Sequence, residues 1–207
     1  MKEIFSRNKD INLTSFMNWR IEDDAPILNM LNMADGYLQA ALILAEDSVN
    51  NNIWKKADII IFPILTNANH GLELYLKALV WTLNKLLNLE TKIGGGHNLQ
   101  QLLQTTQARI KQLKGGSFLN NFNKDNDDLV SYINELFKRI DSEKKKDKMD
   151  FSRYPFTKNY ENHFYVGNIG NVEVDLINFI ERFTKIHESL EQYATDYFYH
   201  QELMREE

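Results

Sequence analysis

Three ionisable residues, His70, Glu73 and Lys77, interrupt the most apolar part of the chain. On an α-helix, offsets of 0, 3 and 7 residues turn through about 0°, 300° and 700°, so all three share one face. Ionisable groups on an apolar helix are costly to bury unless they are paired. Glu73 precedes Lys77 by four residues, the favourable order for a helical ion pair. As a site, the trio would supply a base, an orienting carboxylate and an anion-binding cation. As a structural device, it would lock this helix to the connection after the fourth helix.

Arg182 and His187 form a second constellation, with the basic residue five positions before the imidazole. Five residues turn through about 500°, so the two side chains project roughly 140° apart, though a seam between two copies would still let them converge on one substrate. His187 and Glu191 stand at i,i+4, but two ligands do not make a metal site and no third is identifiable, so no metal is expected. Three consecutive glycines precede His97 and Asn98. A phosphate-cradling loop requires a Gly-Lys-Ser/Thr entry from a strand into a helix, and neither the lysine nor the strand is present. These residues are expected to form a flexible turn before a capped helix. Residues 109–153 hold 11 basic and 8 acidic residues, a net +3 that leaves −8 for the rest of a chain whose total is −5. With Tyr132, Phe151 and Tyr154 nearby, this patch would meet a polyanion or serve as a solvated face.

The elements that carry these residues are set by length and patterning. A chain of 207 residues, 43% apolar and 26% charged, fits one soluble domain with its own core. No cofactor is called for by any motif. The absence of cysteine excludes a thiolate metal site and a cysteine nucleophile and suits a reducing, cytoplasmic setting. No leader-like apolar stretch comes after the charged start. The longest apolar run, residues 59–65, falls far short of the ~20 residues of a membrane span, so no membrane partner is expected.

Residues 1–24 lack periodicity, and Phe16, Trp19 and Ile21 are expected to pin this arm to the core of a single domain spanning 1–207. Asp23-Asp24-Ala25-Pro26 reads as an acidic cap and a first-turn proline opening a helix to about Asn50, with Leu28, Leu31, Leu38, Leu42 and Ala45 on its inner face. A second, central helix runs from about Ile53 to Leu89, with a kink or break at Pro63. A third runs from His97-Asn98 to about Leu113 and stops at Gly115-Gly116. A fourth covers 123–142, with acids at its start and Lys138 and Arg139 at its end. A long connection with the run Lys144-Lys145-Lys146-Asp147-Lys148 comes next, with a small hairpin around Gly167 or Gly170 within 155–172. The last helix spans about 172–202. The fold class is therefore all-α, an up-and-down bundle of about five helices.

Three ordered motifs resemble a known family. They are Asn69-His70-Gly-Leu-Glu73-Leu-Tyr75-Leu-Lys77-Ala78, then Gly96-His97-Asn98-Leu99, then Phe151-Ser-Arg153-Tyr154-Pro155. Across residues 55–195 the chain is similar to bacterial proteins of the HEPN superfamily (higher eukaryotes and prokaryotes nucleotide-binding). One branch carries a proline-kinked helix with His-x-x-Glu-Leu-x-Leu-Lys, then Gly-His-x-Leu, then an Arg-Tyr-Pro turn. The resemblance implies a helical bundle, often paired as a homodimer. Many members are metal-independent ribonucleases of toxin–antitoxin or phage-defence systems, and others bind or scaffold without catalysis. By that resemblance Arg182 and His187 would be the catalytic pair. Phe183, however, stands after Arg182 where active members carry a polar residue, and the pair sits mid-helix. The expectation is a protein that binds nucleotide, RNA or a protein partner without catalysis, with ribonuclease or structural-module activity as the alternatives. His70, Glu73, Lys77, His97, Arg153 and Tyr154 are its binding or structural polar network. The C-terminal aromatics Tyr193, Tyr197, Phe198 and Tyr199 are expected to supply the homodimer interface.

Overall fold

The computed structural model describes residues 1–89, 96–140, 150–157, 159–166 and 171–204. The described residues form five α-helices and two short 3₁₀ turns, with no strand among them: α1 (Pro26–Asn50), α2 (Ala57–Leu86), α3 (Leu99–Asp125), α4 (Asp127–Ile140) and α5 (Leu176–Leu190). A π-helical extension, Glu191–Leu203, continues α5. The fold is an all-α bundle. None of the described helices is long and apolar enough to cross a membrane.

The α1–α2 pair organises the rest. On α1, Ile27, Leu31, Ala34, Leu38, Ala41, Ala45 and Ser48 are buried, alternating in steps of four and three. This is the spacing that keeps one face of a helix on its neighbour. Leu28 and Leu42, expected on that face, are only half-buried at its edges; alanines take the central positions and bring the helices close. A Cβ added at Gly71 of α2 would stand 2.8 Å from the Leu38 side chain and 3.1 Å from the Ala34 carbonyl. Leu38 lies 12 residues before the end of α1 and Gly71 lies 14 after the start of α2, so the two helices form a hairpin. Pro63 does not split α2, which runs unbroken for 30 residues, about 45 Å. It also packs on α3 and on the π-helical extension, as a central helix apolar on several sides must.

Several expected boundaries are corrected. Ala25, not an aspartate, occupies the cap position of α1 and makes no side-chain capping bond, while Pro26 holds the first turn. Instead Asn29 closes the entry, accepting from the Glu22 N–H at 2.8 Å and donating to its carbonyl at 2.6 Å. The N-terminal arm is not pinned by its aromatics: Trp19 is 69% exposed and stacks on Phe16, ring centres 4.4 Å apart, and Ile21 is also exposed. Residues 53–55 form a separate 3₁₀ turn before α2. Gly115 does interrupt α3, at φ 83°, ψ 177°, a conformation open essentially only to glycine. The chain then resumes as helix to Asp125; the sequence pattern assigns no helix to residues 117–122, and residues 123–125, expected to open the fourth helix, end α3 instead. Helix α4 has the expected acidic start and basic end.

Helix α5 starts at Leu176, capped by Asp175, whose carboxylate accepts from the N–H groups of Ile177 and Asn178. Its last part winds as a π-helix. Tyr193, Phe198 and Tyr199, expected at a dimer interface, are buried within the chain. Phe118 and Phe122 of α3 pack against Tyr193, and Phe118 also against Tyr197 and Phe198. The Tyr193 hydroxyl donates to Asp125 at 2.6 Å. Between residues 155 and 172 a single antiparallel bridge, Phe156 with Asn162, stands in the described part. Gly167 and Gly170, and the lysine run 144–148, lie outside the described residues.

Candidate functional site

The face predicted from spacing is present on α2. Glu73 Oε1 accepts from Lys77 Nζ at 2.7 Å and contacts His97 Nδ1 at 2.9 Å. His70 Nδ1 stands 3.9 Å from Glu73 Oε2. Asn98 delivers His97 by capping α3, its side chain accepting from the Gln101 N–H at 2.9 Å. The Glu73 side chain is 10% exposed and that of His97 62%, so the network has its carboxylate inside and one imidazole at the surface. Burial pushes the Glu73 carboxyl up. The His70 ring, Lys77 and His97 outweigh burial and hold the group at about 2, below its ordinary 4.5. Glu73 is therefore an anion at neutral pH, unsuited to act as an acid.

Beside this network lies a cavity of about 240 Å³, lined by Tyr37 of α1, by Thr66, Asn69, His70 and Glu73 of α2, and by Ser152 and Arg153. The Tyr37 ring meets the His70 ring edge-on at 4.5 Å. The turn carrying Ser152 and Arg153 is built by the Asp150 carbonyl, which accepts from the backbone N–H groups of Arg153 and Tyr154. Buried Phe151 anchors it, and Thr66 Oγ1 donates to Ser152 Oγ at 3.0 Å. Arg153 pairs with the Asp150 carboxylate. Arg153 thus reaches the site from the long connection, as the structural alternative for this network requires. Tyr154 does not join it; its ring is exposed.

Asn69 is 5% exposed. Its Oδ1 accepts from the Tyr132 hydroxyl at 2.7 Å. Burial raises the Tyr132 phenol well above its ordinary range, so it stays protonated and donates. Among the described residues Asn69 Nδ2 has no partner. The reverse amide orientation would strand Oδ1 and the phenolic proton together.

Arg182 and His187 are not brought together. Arg182 turns to α4: its Nε bonds Asp128 Oδ1 at 3.1 Å, Nη1 bonds Glu135 Oε2 at 3.1 Å, and Nη2 bonds the Asp128 carbonyl at 3.2 Å. His187 turns to α1, with Nε2 2.6 Å from Asp35 Oδ1. Phe183 between them is buried, stacked on Phe179 and edge-on to Tyr132; it is a core residue, which is why no polar group stands there. Arg182 borders a groove of about 940 Å³ against α2, α4 and α5. Among the described residues that groove presents Asp58, Glu135, Glu173 and Asp175 against Lys55, Arg139 and Arg182, one more negative than positive.

Tyr37, Asp35 and Asp150 carried no sequence signal, because their roles depend on partners supplied by other elements. Asn69 and Ser152 lie inside the motifs, but spacing does not show that either faces a cavity. No family model, no curated protein and no solved structure matches this chain.

Proposed function

We propose that this chain is a HEPN-like helical protein that binds a nucleotide, free or at an RNA end, at the His70–Glu73 cavity, without cleaving it. The observation that carries this reading is the opposite fate of the two constellations. His70, Glu73 and Arg153 line one cavity, and Lys77 and His97 hold the Glu73 carboxylate beside it. Within the chain Arg182 and His187 diverge, Arg182 into ion pairs with α4 and His187 into a hydrogen-bond contact with Asp35 of α1. A metal-independent ribonuclease needs both groups at one phosphate, the imidazole to move protons and the guanidinium to stabilise developing charge. A guanidinium spent on two carboxylates of its own chain supplies no such stabilisation.

One observation favours the ribonuclease alternative: Asp35 orients the His187 ring at 2.6 Å, as a carboxylate orients a catalytic imidazole. Incubation with labelled single-stranded RNA in EDTA, alongside equilibrium titration with nucleotides, separates the two. Saturable binding without cleavage, weakened by His70→Ala, is the expected result. Cleavage that disappears in both Arg182→Ala and His187→Ala would install the ribonuclease.

A further inference from the structure

We infer that the cavity between Tyr37, α2 and the Ser152–Arg153 turn receives a phosphoryl group, either inorganic phosphate or the phosphate of a nucleotide. The inference rests on the binding reading and names the part of the ligand that enters. Its anchor is Asn69. Native structures pair roughly 90% or more of their buried polar groups, yet Asn69, which lines the cavity, has a buried Nδ2 with no partner among the described residues. An amide donor left in that state lacks an acceptor.

The other walls also offer donors. Ser152 accepts from Thr66 and so keeps its own proton to give. Arg153 commits one nitrogen to Asp150, out of five N–H donors in its guanidinium. His70 adds an imidazole. Donors arriving from α2 and from the turn suit a group with several acceptor oxygens; a single carbonyl would answer only one of them. The charge of the carboxylate on the wall is offset by Lys77, which with His97 holds Glu73 Oε1, while Oε2 lies 3.9 Å from His70. Counting Arg153 and Lys77 against Glu73 and Asp150, the described charges in and beside the cavity balance. At about 240 Å³ the cavity is smaller than the ~300–1,000 Å³ of sites that enclose a whole ligand. It takes the phosphoryl end and leaves a nucleoside at the mouth.

Calorimetric titration of the full chain with inorganic phosphate, a nucleoside 5′-monophosphate and the matching nucleoside tests this. The wild type should bind phosphate and the monophosphate, and bind the nucleoside at least tenfold more weakly. Asn69→Asp keeps the acceptor for Tyr132, removes the donor and sets a carboxylate in its place, and should weaken both phosphorylated ligands at least tenfold while leaving the nucleoside unchanged. Arg153→Gln, at a side chain 44% exposed, should weaken them without disturbing the fold, and it decides the matter if Asn69→Asp fails to fold by circular dichroism. Equal affinity for nucleoside and monophosphate, or phosphate binding unchanged in the folded variants, overturns the phosphoryl assignment while leaving nucleotide binding intact. No binding of any of the three overturns both readings.

Discussion

Glu73 is the residue whose removal tells most about the α2 network. Replacing it with alanine leaves Lys77, whose side chain is 14% exposed, without its carboxylate. The magnitude comes from the carboxyl being held at about 2 instead of 4.5. Each factor of ten in proton affinity corresponds to about 1.4 kcal/mol, so the charged form favours folding by about 3 kcal/mol at neutral pH. That agrees with the ~3–5 kcal/mol measured when one partner of a buried pair is removed. The folded-state value lies below the unfolded one, so this stability is complete above pH 4.5 and is lost as the pH falls towards 2. The gap between wild type and Glu73→Ala should therefore be about 3 kcal/mol at pH 7, about 2 at pH 3.5 and about 1 at pH 2.5. Urea unfolding at each pH measures it, provided the slope with denaturant is the same for both proteins. A pH-independent gap, or a loss below about 0.5 kcal/mol at pH 7, the range of ordinary surface substitutions, would refute the pairing argument. Removing the stranded cation as well, in Glu73→Ala/Lys77→Met, should recover part of the loss.

Three glycine substitutions test the packing and the backbone. Gly71→Ala places a methyl 2.8 Å from Leu38 and 3.1 Å from the Ala34 carbonyl, and should cost about 1–3 kcal/mol by overpacking despite alanine's better helix propensity; an unchanged melting temperature would show that α1 moves aside freely. Gly115→Ala, at φ 83°, should destabilise by about 1–3 kcal/mol, whereas Gly116→Ala, where a Cβ meets nothing within 4 Å, should stabilise by up to ~1 kcal/mol; thermal melts in which the neighbours behave alike would contradict the bend.

The helical class and the shared face of His70, Glu73 and Lys77 were legible in the sequence because both are local. A turn of α-helix is closed by hydrogen bonds four residues apart, so spacing alone sets which side chains share a face. The break at Gly115 was legible for the same reason, but the return to helix over residues 117–122 was not. That segment is helical because Phe118 and Phe122 pack against the C-terminal aromatics. Those aromatics show the limit. An exposed dimer face and a buried core contact look identical in sequence, and only the position of α3 decided that Tyr193, Phe198 and Tyr199 turn inward. The partners of each charge were decided in the same way. Spacing set Arg182 and His187 apart on α5, but the carboxylates that claim them, Asp128 and Glu135 on α4 and Asp35 on α1, lie 47 to 152 residues away in sequence. The cavity itself, with Tyr37 from one side and Ser152–Arg153 from the other, exists only once the hairpin of α1 and α2 and the turn after α4 have packed. Its unpaired Asn69 donor is a property of that enclosure, since an amide in water is never without a partner.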